Sequence, residues 1–585
     1  MGARELGVSR RAVLTGAAAG TAAATLGAIT LSTNSARAEQ TWNRETDILV
    51  VGAGSAGLTA AVIASSNGDN VIVVEKAAEP GGTCAKSGGV FWIPNHFALK
   101  AKGIEDKKDD CLRFLSRYSF PEDYTPDSPT LGLTPEAYSL LEAFYDNGSV
   151  MVDQVQDLGA LKIMHWDMWH MKRMPPDYFD HAPENMTSMG RPLSPALPDG
   201  NAGNGTEIIG QMGDWLADKG VPVLLEHPAK NLLMDEAGAV IGLQTEHDGK
   251  DVAIHARKAV IFATGGFAHN PDLLQRYQRN VVYGSCGAAV ATGDLIPIAS
   301  AAGAKLGNMT GAWRTEVVLE ETLENREVGS GAFMPPGDSM MQVNKYGHRV
   351  VNEKRNYNDR TEIHHVFDPS RAEYPNQLLF TIYDQRTAEA YADNYPLPAK
   401  PTNAPYIVSG ETLDELAAAL AARLEELGPK IGKISLDADF ATSLKATFAR
   451  FNDYARTGVD PDFGRGAQEY DRAWTHLFAP QKVSDQWPAN DMPNITMYPI
   501  RNEGPYYAYI VGAGVLDTNG GPVINAKAQI LDQDDQPIPG LYGAGNCIAS
   551  PSREAYFGAG GTIGLAMTYG YIAANNAHNE PVKDS

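Results

Sequence analysis

Residues 47–57 read DILVVGAGSAG, an apolar strand that runs into a glycine-rich turn and the start of a helix. Gly52 permits the tight turn, Gly54 lets the backbone approach a pyrophosphate, and Gly57 lets the helix lie close to the strand. A second apolar strand ends at Glu75, 18 residues beyond Gly57, where a carboxylate can accept a hydrogen bond from a ribose hydroxyl. Glycine-rich turns are common, but this one lies between two strands and precedes a well-placed acid. It therefore predicts a dinucleotide site at a helix N-terminus.

A second glycine-rich segment, residues 79–89, indicates which dinucleotide is bound. It follows Glu75 almost at once. A nicotinamide cofactor does not require such a segment, whereas the flavin of FAD extends past the first strands and needs backbone close to its ring. Residues 259–266 are typical of a buried strand ending in small residues, and residues 540–546 of a further strand and turn before the glycine-rich helix start at 560–564. We therefore predict FAD as the cofactor.

Four separated parts of the chain are expected to surround this long cofactor. Each brings small residues, and therefore backbone, towards one site. The predicted FAD contacts are Gly52, Gly54, Ser55, Ala56, Gly57, Glu75, Lys76, Gly82, Thr83, Ser87, Gly88, Gly89, Ala229, Ala263, Thr264, Gly265, Gly545, Asn546, Thr562 and Ile563.

Size and charge restrict the class of protein. The chain has 585 residues, too many for one simple core, and suits two domains. Its composition, 43% hydrophobic and 20% charged, is ordinary for a soluble globular protein. The net charge of −23 argues against nucleic acid or an anionic membrane as a partner.

Residues 1–38 are typical of an export signal rather than of the fold. Arg10 and Arg11 precede a mildly apolar stretch of Ala, Gly and Thr, and residues 36–38 read ARA, a cleavage site before Glu39. The paired arginines indicate a Tat signal, which exports folded proteins and so allows the flavin to be inserted first. A transmembrane anchor is the alternative, but Gly and Thr interrupt the apolar stretch. We expect Tat export to the periplasm or the cell exterior, without a stable membrane anchor.

The cysteines and histidines predict no metal. Four cysteines show no CxxC pair, and none of the 13 histidines has metal-ligand spacing. Cys84 and Cys547 lie beside the predicted flavin turns, where small-residue packing is favoured over a redox role.

The middle of the chain predicts an insertion into the FAD domain. Short strands at 221–226, 229–234 and 240–245 give way, after about Gly311, to helices and aromatic loops. A helix is predicted from a capping box at Thr412 and Glu415 to a stop at Gly428-Pro429, and a second helix over 440–457. The predicted domains are an FAD-binding domain in two parts, 44–311 and 501–585, and a cap over 312–500. We expect the active site between them.

From these motifs, the chain resembles the FAD-dependent fumarate reductase/3-ketosteroid dehydrogenase group. The resemblance covers nearly everything after residue 44. It implies an α/β fold in which a Rossmann-like, GR2-type FAD-binding domain carries an inserted α+β catalytic cap. Its motifs are the Gly52, Gly54 and Gly57 turn, residues 87–89 (SGG), 350–353 (VVNE), 460–466 (DPDFGRG), 520–521 (GG), 544–546 (AGN) and 560–564 (GGTIG).

The substrate class follows from three positions within this resemblance. Dicarboxylate reductases of the group hold two carboxylates with arginine and histidine. This chain has Asp517 where they carry histidine, and Tyr357 and Gly558 where they carry arginine. A dicarboxylate would therefore meet no cationic clamp, and we expect neither fumarate nor succinate to be a substrate.

The replacements resemble a Δ1-type 3-ketosteroid dehydrogenase. That resemblance implies that the Tyr556 hydroxyl and the Gly560 amide hydrogen-bond the ketone oxygen. Tyr357 would remove the neighbouring proton, and flavin N5 would accept hydride from the next carbon. One donor to a developing enolate contributes about 3 kcal/mol. Because tyrosine titrates near pH ~10, Tyr357 needs help from its surroundings to act as a base.

Other aromatic residues leave alternatives open. Tyr506 and Tyr507 favour a core position. Family members place a further tyrosine in an N-terminal helix, and Phe144-Tyr145 is the nearest match. Residues 166–174, rich in Trp and Met, are interpreted either as a loop packed on the cap or as an apolar wall for a bulky ring.

The leading hypothesis is thus an exported FAD enzyme that desaturates a cyclic, steroid-like ketone. The alternatives are a flavin-dependent reductase of an enone or enoate and a flavin-carrying electron-transfer or binding protein. No histidine occurs in residues 79–89, where covalent relatives attach their flavin, so we expect non-covalent FAD. The sequence does not identify the electron acceptor.

Overall fold

The computed structural model describes residues 41–583. The predicted export signal, 1–38, lies outside the described residues. Residues 42–583 form one compact unit. No helix within residues 41–583 combines the length and the apolar character needed to cross a membrane.

Nineteen strands occur among the described residues. They are β1 Arg44–Val51, β2 Val71–Val74, β3 Phe91–Trp92, β4 Ile163–His165, β5 Pro192–Pro195, β6 Val223–Leu224, β7 Ala229–Met234, β8 Val240–His247, β9 Lys250–Phe262, β10 Gly284–Ser285, β11 Leu306–Gly307, β12 Ala312–Val318, β13 Met340–Val343, β14 Leu378–Asp384, β15 Val408–Gly410, β16 Tyr506–Thr518, β17 Gly521–Pro522, β18 Gln529–Leu531 and β19 Pro537–Gly543.

Fifteen α-helices accompany these strands in the described part of the chain. They are α1 Ser55–Ser66, α2 Gly82–Ala85, α3 Phe97–Ala101, α4 Lys108–Ser119, α5 Pro135–Asp157, α6 Gly205–Asp218, α7 Pro271–Tyr277, α8 Leu295–Ala301, α9 Leu319–Glu324, α10 Tyr357–Thr361, α11 Gln385–Ala390, α12 Leu413–Ile431, α13 Phe440–Thr457, α14 Glu469–Thr475 and α15 Gly561–His578.

The first sheet has eight strands and a parallel centre. Its order is β18-β19-β9-β1-β2-β6, with β8 paired to β9 and β7 to β8. β1 runs parallel to both β2 and β9, and β19 runs parallel to β9. β1 and β2 are buried along their apolar residues, as strands covered on both faces must be. Because parallel strands end at the same edge, the turns after β1, β2, β9 and β19 meet there.

Helices α1 and α15 pack closely against each other. A side chain at Gly570 would place its Cβ 2.3 Å from the Ala56 backbone oxygen. Only glycine allows this approach, and it brings the starts of both helices to the same edge of the sheet.

The second sheet is centred on the long strand β16. It has six strands in the order β10-β16-β14-β13, with β12 and β15 also paired to β16. The strands β16, β14, β13 and β12 are antiparallel. Helices α12 and α13 bury Leu416, Leu420 and Phe448 in the core beside this sheet. The sheet therefore takes strands from both sides of the predicted domain limits near 312 and 501, since β10 precedes the first and β16 follows the second.

The cap helices test the sequence patterns directly. Thr412 caps α12 by accepting a hydrogen bond from the Glu415 N–H, 3.1 Å, as predicted. The predicted stop at Gly428-Pro429 is wrong, because α12 continues to Ile431 and ends at Gly432. Pro429 lies in the last turn, where its missing N–H removes only one intrahelical bond. Helix α13 has the predicted bounds.

Candidate active site

One cavity lies where the turns after the parallel strands meet, and the predicted site residues surround it. Tyr357, Tyr556 and Gly560 line this cavity, and so do all the predicted FAD contacts except Gly57. A Cβ at Gly57 would lie 1.8 Å from the Gly52 backbone oxygen, so Gly57 allows α1 to pack against the turn instead. The roles of the lining residues as FAD contacts stay predictions, but their convergence on one cavity is a property of the fold.

The first glycine turn has the form that a pyrophosphate needs. Gly52 has φ +107°, and a Cβ there would lie 2.4 Å from the Ala263 backbone oxygen. Gly54 is the N-cap of α1, so the first N–H groups of this 12-residue helix point to the cavity edge without intrahelical partners. Glu75 accepts the N–H groups of Ala53 and Ala77, both at 2.9 Å, and keeps further lone pairs for ribose hydroxyls. These residues fit the adenosine half of FAD.

The second glycine segment is also held close to the cavity. The Ser87 hydroxyl donates to the Cys84 backbone oxygen, 2.7 Å, and accepts from the Gly89 N–H, 3.1 Å. A Cβ at Gly89 would lie 2.2 Å from the Asn204 carbonyl carbon, so only glycine fits. Thr562 and Ile563, at the start of α15, line the same cavity as this segment. The groove between them can hold the flavin end.

A buried carboxylate completes the cofactor side. Asp517 lines the cavity and is 1% exposed. It accepts from the Gly266 N–H, 2.8 Å, the Thr518 N–H, 2.9 Å, and the Asn546 amide, 3.2 Å. The Asn546 carbonyl in turn accepts from Trp313 Nε1, 2.9 Å. Desolvation raises the pKa of Asp517 from 3.8 to about 6, because hydrogen bonds only partly offset the loss of water.

Three tyrosines form the centre of the substrate side. The Tyr178 hydroxyl donates to the Tyr357 hydroxyl, 2.9 Å, and both side chains are buried. The Tyr556 ring lies 5.1 Å from the Tyr178 ring and 5.5 Å from the Tyr357 ring, measured between centroids. The structure therefore brings together the two tyrosines expected from the sequence and adds Tyr178, which sequence reasoning missed.

Tyr178 comes from a loop, but its backbone is anchored on several sides. Its N–H donates to the Phe557 carbonyl, 3.0 Å, and its carbonyl accepts from the Arg355 guanidinium. The preceding residue, Asp177, is buried and paired with the buried Arg191. No sequence motif marks this tyrosine, because its position depends on contacts with residues far away in the chain.

The expected counterpart of a family tyrosine, Tyr145, lies elsewhere. Its hydroxyl donates to the Asp106 backbone oxygen, 2.6 Å, and the residue does not line the cavity. Tyr145 is therefore not beside the two expected tyrosines, and Tyr178 is the tyrosine that contacts Tyr357. Tyr506 and Tyr507 lie outside the cavity lining, and their hydroxyls donate to Arg501 and Gln385.

Burial controls the protonation of the tyrosine cluster. Desolvation raises the pKa of Tyr178, Tyr357 and Tyr556, and the neighbouring phenols raise that of Tyr357 further. All three are therefore neutral phenols at neutral pH. A neutral phenol suits Tyr556 as a hydrogen-bond donor, whereas Tyr357 accepts a proton only at a free-energy cost.

Gly560 provides a second donor beside Tyr556. It has φ +84°, and a Cβ would lie 2.2 Å from the Val90 backbone oxygen. Its N–H has no hydrogen-bond acceptor among residues 41–583. The N–H is therefore available to a ligand oxygen in the cavity.

Aromatic side chains from both halves of the chain enclose the rest of the cavity. Phe333 contacts the Tyr357 ring at 4.9 Å, and Trp474 contacts the Tyr178 ring at 5.8 Å. Phe478 packs against both, at 6.1 Å from Phe333 and 5.6 Å from Trp474. Trp166 and Trp169 also line the cavity, so the 166–174 segment contributes part of the apolar wall.

No arginine from the described residues lines the cavity. Its two lysines belong to the cofactor segments and are paired, Lys76 with Asp294 at 2.7 Å and Lys86 with Glu327 at 2.6 Å. Gly558 lies against Trp92, where a Cβ would approach the ring to 2.6 Å. The positions that would form a dicarboxylate clamp therefore supply no cation.

Comparisons with known proteins agree with this geometry. The FAD binding domain family model matches residues 47–563. The chain is 30% identical over 576 residues to 4-oxocyclohexanecarboxylate 2-dehydrogenase of Sinomonas cyclohexanicum, covering 90% of this chain and 92% of that protein. It is 30% identical over 614 residues to 3-oxosteroid 1-dehydrogenase of Mycolicibacterium smegmatis, covering 91% and 97%.

A solved structure extends the likeness to the fold. It is 3-ketosteroid delta1-dehydrogenase from Sterolibacterium denitrificans in complex with 1,4-androstadiene-3,17-dione, with a TM-score of 0.75 and 25% identity. The match covers 92% of this chain and 100% of that one. The family, the fold class and FAD as the cofactor, all expected from the sequence, are confirmed.

Proposed function

This chain belongs to the FAD binding domain family and is an FAD-dependent oxidoreductase, and we propose that it desaturates a cyclic, 3-ketosteroid-like ketone. The observation that carries the proposal is the contact of Tyr178, Tyr357 and Tyr556 beside the free Gly560 amide. Such a cluster offers two donors to one oxygen and a proton acceptor close by, at the edge of the sheet where the flavin segments meet.

The ketone oxygen would be held by the Tyr556 hydroxyl and the Gly560 N–H. Both groups are rigid, since Tyr556 is packed between the Tyr178 and Trp313 rings and Gly560 is fixed against the Val90 backbone. Donors fixed in advance stabilise the enolate oxygen as its charge develops, by about 3 kcal/mol for each donor. This makes the hydrogen on the neighbouring carbon more acidic.

Tyr357 would remove that hydrogen as a proton. Burial and the neighbouring phenols, Tyr178 among them, raise the pKa of Tyr357, so proton removal carries a free-energy cost that the hydrogen-bonded enolate must offset. Bound FAD supplies the hydride acceptor for the next carbon. Because the pKa of Tyr357 is raised, this direction of the reaction is expected to quicken as the pH increases.

The apolar walls favour an uncharged ring system as the substrate. Phe333, Trp474 and Phe478 carry no charge, and no arginine from residues 41–583 faces them across the cavity. Burying a carboxylate there without a cation would be costly. The curated relatives named above act on an oxocyclohexanecarboxylate and on 3-oxosteroids, and this wall supports the steroid-like class for this chain.

Reduction of an enone is a second candidate, favoured by one observation. Burial keeps Tyr357 as a neutral phenol, and a neutral phenol can donate a proton to carbon in the reverse direction. The same cluster therefore supports both directions, and the direction depends on which electron partner the enzyme meets.

Anaerobic flavin bleaching tests the proposal. Oxidised holoenzyme mixed with a saturated 3-ketosteroid should lose its flavin absorption band, and succinate should leave the band unchanged. Tyr357→Phe should bleach at least a hundredfold more slowly, roughly the size expected for a general base. Tyr507→Phe is the matched control, since its hydroxyl contacts Gln385 outside the cavity. Bleaching of Tyr357→Phe at the wild-type rate would disprove the assigned role. Return of the flavin absorption band when reduced enzyme meets an enone, with no bleaching of oxidised enzyme by the ketone, would favour reduction.

A further inference from the structure

The loop 167–173 has an unusual backbone for its side chains. Met168, Trp169 and Lys172 have φ of +55°, +48° and +50°, in the left-handed region that favours glycine. Three such residues within five positions require contacts that hold them in place. The contacts of these side chains therefore indicate the role of the loop.

Two sets of contacts hold the loop. Within it, the Arg173 N–H donates to the Asp167 carbonyl, 2.9 Å, and Met168 is fully buried. Beyond the loop, Arg173 pairs with Glu469 at the start of α14, the helix that carries Trp474. The loop is thus fixed to the cap side of the aromatic wall.

Trp169 reaches from this loop to the cofactor side. Its ring lies 4.9 Å from the Trp166 ring, edge to face, and 6.3 Å from the Phe478 ring. Its outer ring edge would lie 3.6 Å from a Cβ at Gly88, within the predicted flavin segment. Trp169 therefore closes the wall between Phe478 and the second glycine segment.

Trp169 is also separated from the residues that would hold the ketone. Among the described aromatic contacts it meets Trp166 and Phe478, and neither Tyr357 nor Tyr556. Phe478 lies between Trp169 and Phe333, which contacts Tyr357. A ring bound at the two tyrosines would stop short of Trp169, whereas a fused-ring ketone would extend to it.

We propose that Trp169 is a specificity-determining residue that binds the rings of a fused-ring ketone beyond the ring that carries the carbonyl. The inference rests on the proposed function for the position of the ketone. In this proposal Trp169 selects ligands by their size, and Tyr357 removes the proton. An indole face covered by an apolar ring adds binding free energy only for ligands long enough to reach it.

Binding of two dienones to the oxidised holoenzyme tests this. 1,4-Androstadiene-3,17-dione has four rings and already carries the double bonds, so it binds without turnover, and 4,4-dimethylcyclohexa-2,5-dienone reproduces its first ring alone. Titration followed by the shift of the flavin absorption band measures Kd. Trp169→Gly removes the indole and suits the positive φ. Lys172→Gly is the matched control, because it makes the same backbone change with a side chain that lies outside the cavity lining.

Trp169→Gly should weaken the four-ring ligand by roughly tenfold and change the one-ring ligand by less than about twofold. Lys172→Gly should leave both Kd values unchanged. Equal losses for both ligands, tighter binding of the four-ring ligand, or no binding of either to wild-type enzyme would overturn the proposal. Failure of the proposed function would show separately, as flavin that no cyclic ketone bleaches.

Discussion

Replacing Tyr556 with Phe removes one hydroxyl from the centre of the candidate active site. The Tyr556 ring packs against Trp313 at 5.4 Å and against Tyr178 at 5.1 Å, and phenylalanine keeps both contacts. The variant should therefore fold, bind FAD and bind ketones much as the wild type does. The lost hydrogen bond should mainly destabilise the transition state, in which the ketone oxygen carries the most charge.

The magnitude follows from the number of donors. The site offers two, the Tyr556 hydroxyl and the Gly560 N–H, and the variant keeps the second. Loss of one donor to a buried oxyanion costs about 3 kcal/mol, which corresponds to about a hundredfold in kcat. Because ground-state ketone binding relies mainly on the apolar wall, KM should change little.

The assay is stopped-flow flavin reduction by a saturated 3-ketosteroid under anaerobic conditions, with the flavin spectrum and thermal unfolding recorded for each protein. Tyr507→Phe serves as the control, since it removes a hydroxyl outside the cavity. A Tyr556→Phe enzyme that reduces its flavin at close to the wild-type rate would refute the oxyanion role. Loss of FAD from the variant would show that Tyr556 is structural.

Four further predictions concern other parts of the chain. Because the pKa of Tyr357 is raised well above its ordinary value, kcat/KM for desaturation should increase with pH without levelling off where a free tyrosine titrates, and a pH profile should show no acidic optimum. The pKa of Asp517 is raised to about 6, so its stabilising effect is full below 3.8 and lost as the pH rises through 6. Asp517→Asn removes this titration, so the Tm of the variant relative to wild type should increase between pH 4 and pH 7 by the equivalent of ~2–3 kcal/mol, whatever constant cost the lost hydrogen bond adds. Acid precipitation should release all the flavin into the supernatant, since residues 79–89 offer no histidine for a covalent bond. Lysine at both Arg10 and Arg11 should leave the protein in the cytoplasm by fractionation; continued export would contradict a Tat signal.

Local patterns in the chain were enough to predict the cofactor side. The turn after β1, the second glycine segment and the start of α15 each need backbone close to a ligand, and only glycine and other small residues allow that. The need for small residues at these turns is visible in a few consecutive residues of the sequence. All the predicted contacts except Gly57 consequently line the cavity, and Gly57 serves the packing of α1 instead.

The substrate side depended on contacts between distant residues. Tyr178 and Tyr357 are 179 residues apart in the chain and share a hydrogen bond. No periodicity or spacing in the sequence predicts a contact between residues so far apart. The partners of β16 were also not visible in the sequence. The strand pattern after 501 predicted that β16 belongs to the FAD domain, whereas the strand pairs with β12 and β14. Strand partners are chosen by packing across the whole molecule.

The sequence by itself determined the family, the fold class and FAD as the cofactor, because these rest on short backbone motifs whose chemistry is local. Only the tertiary structure decided which tyrosine supports Tyr357, that Tyr145 faces Asp106, and that Trp169 closes the aromatic wall. These are decided by side chains from separate segments meeting in a buried space. Burial and mutual contact, which also raise the pKa of the tyrosines, exist only once the chain is folded.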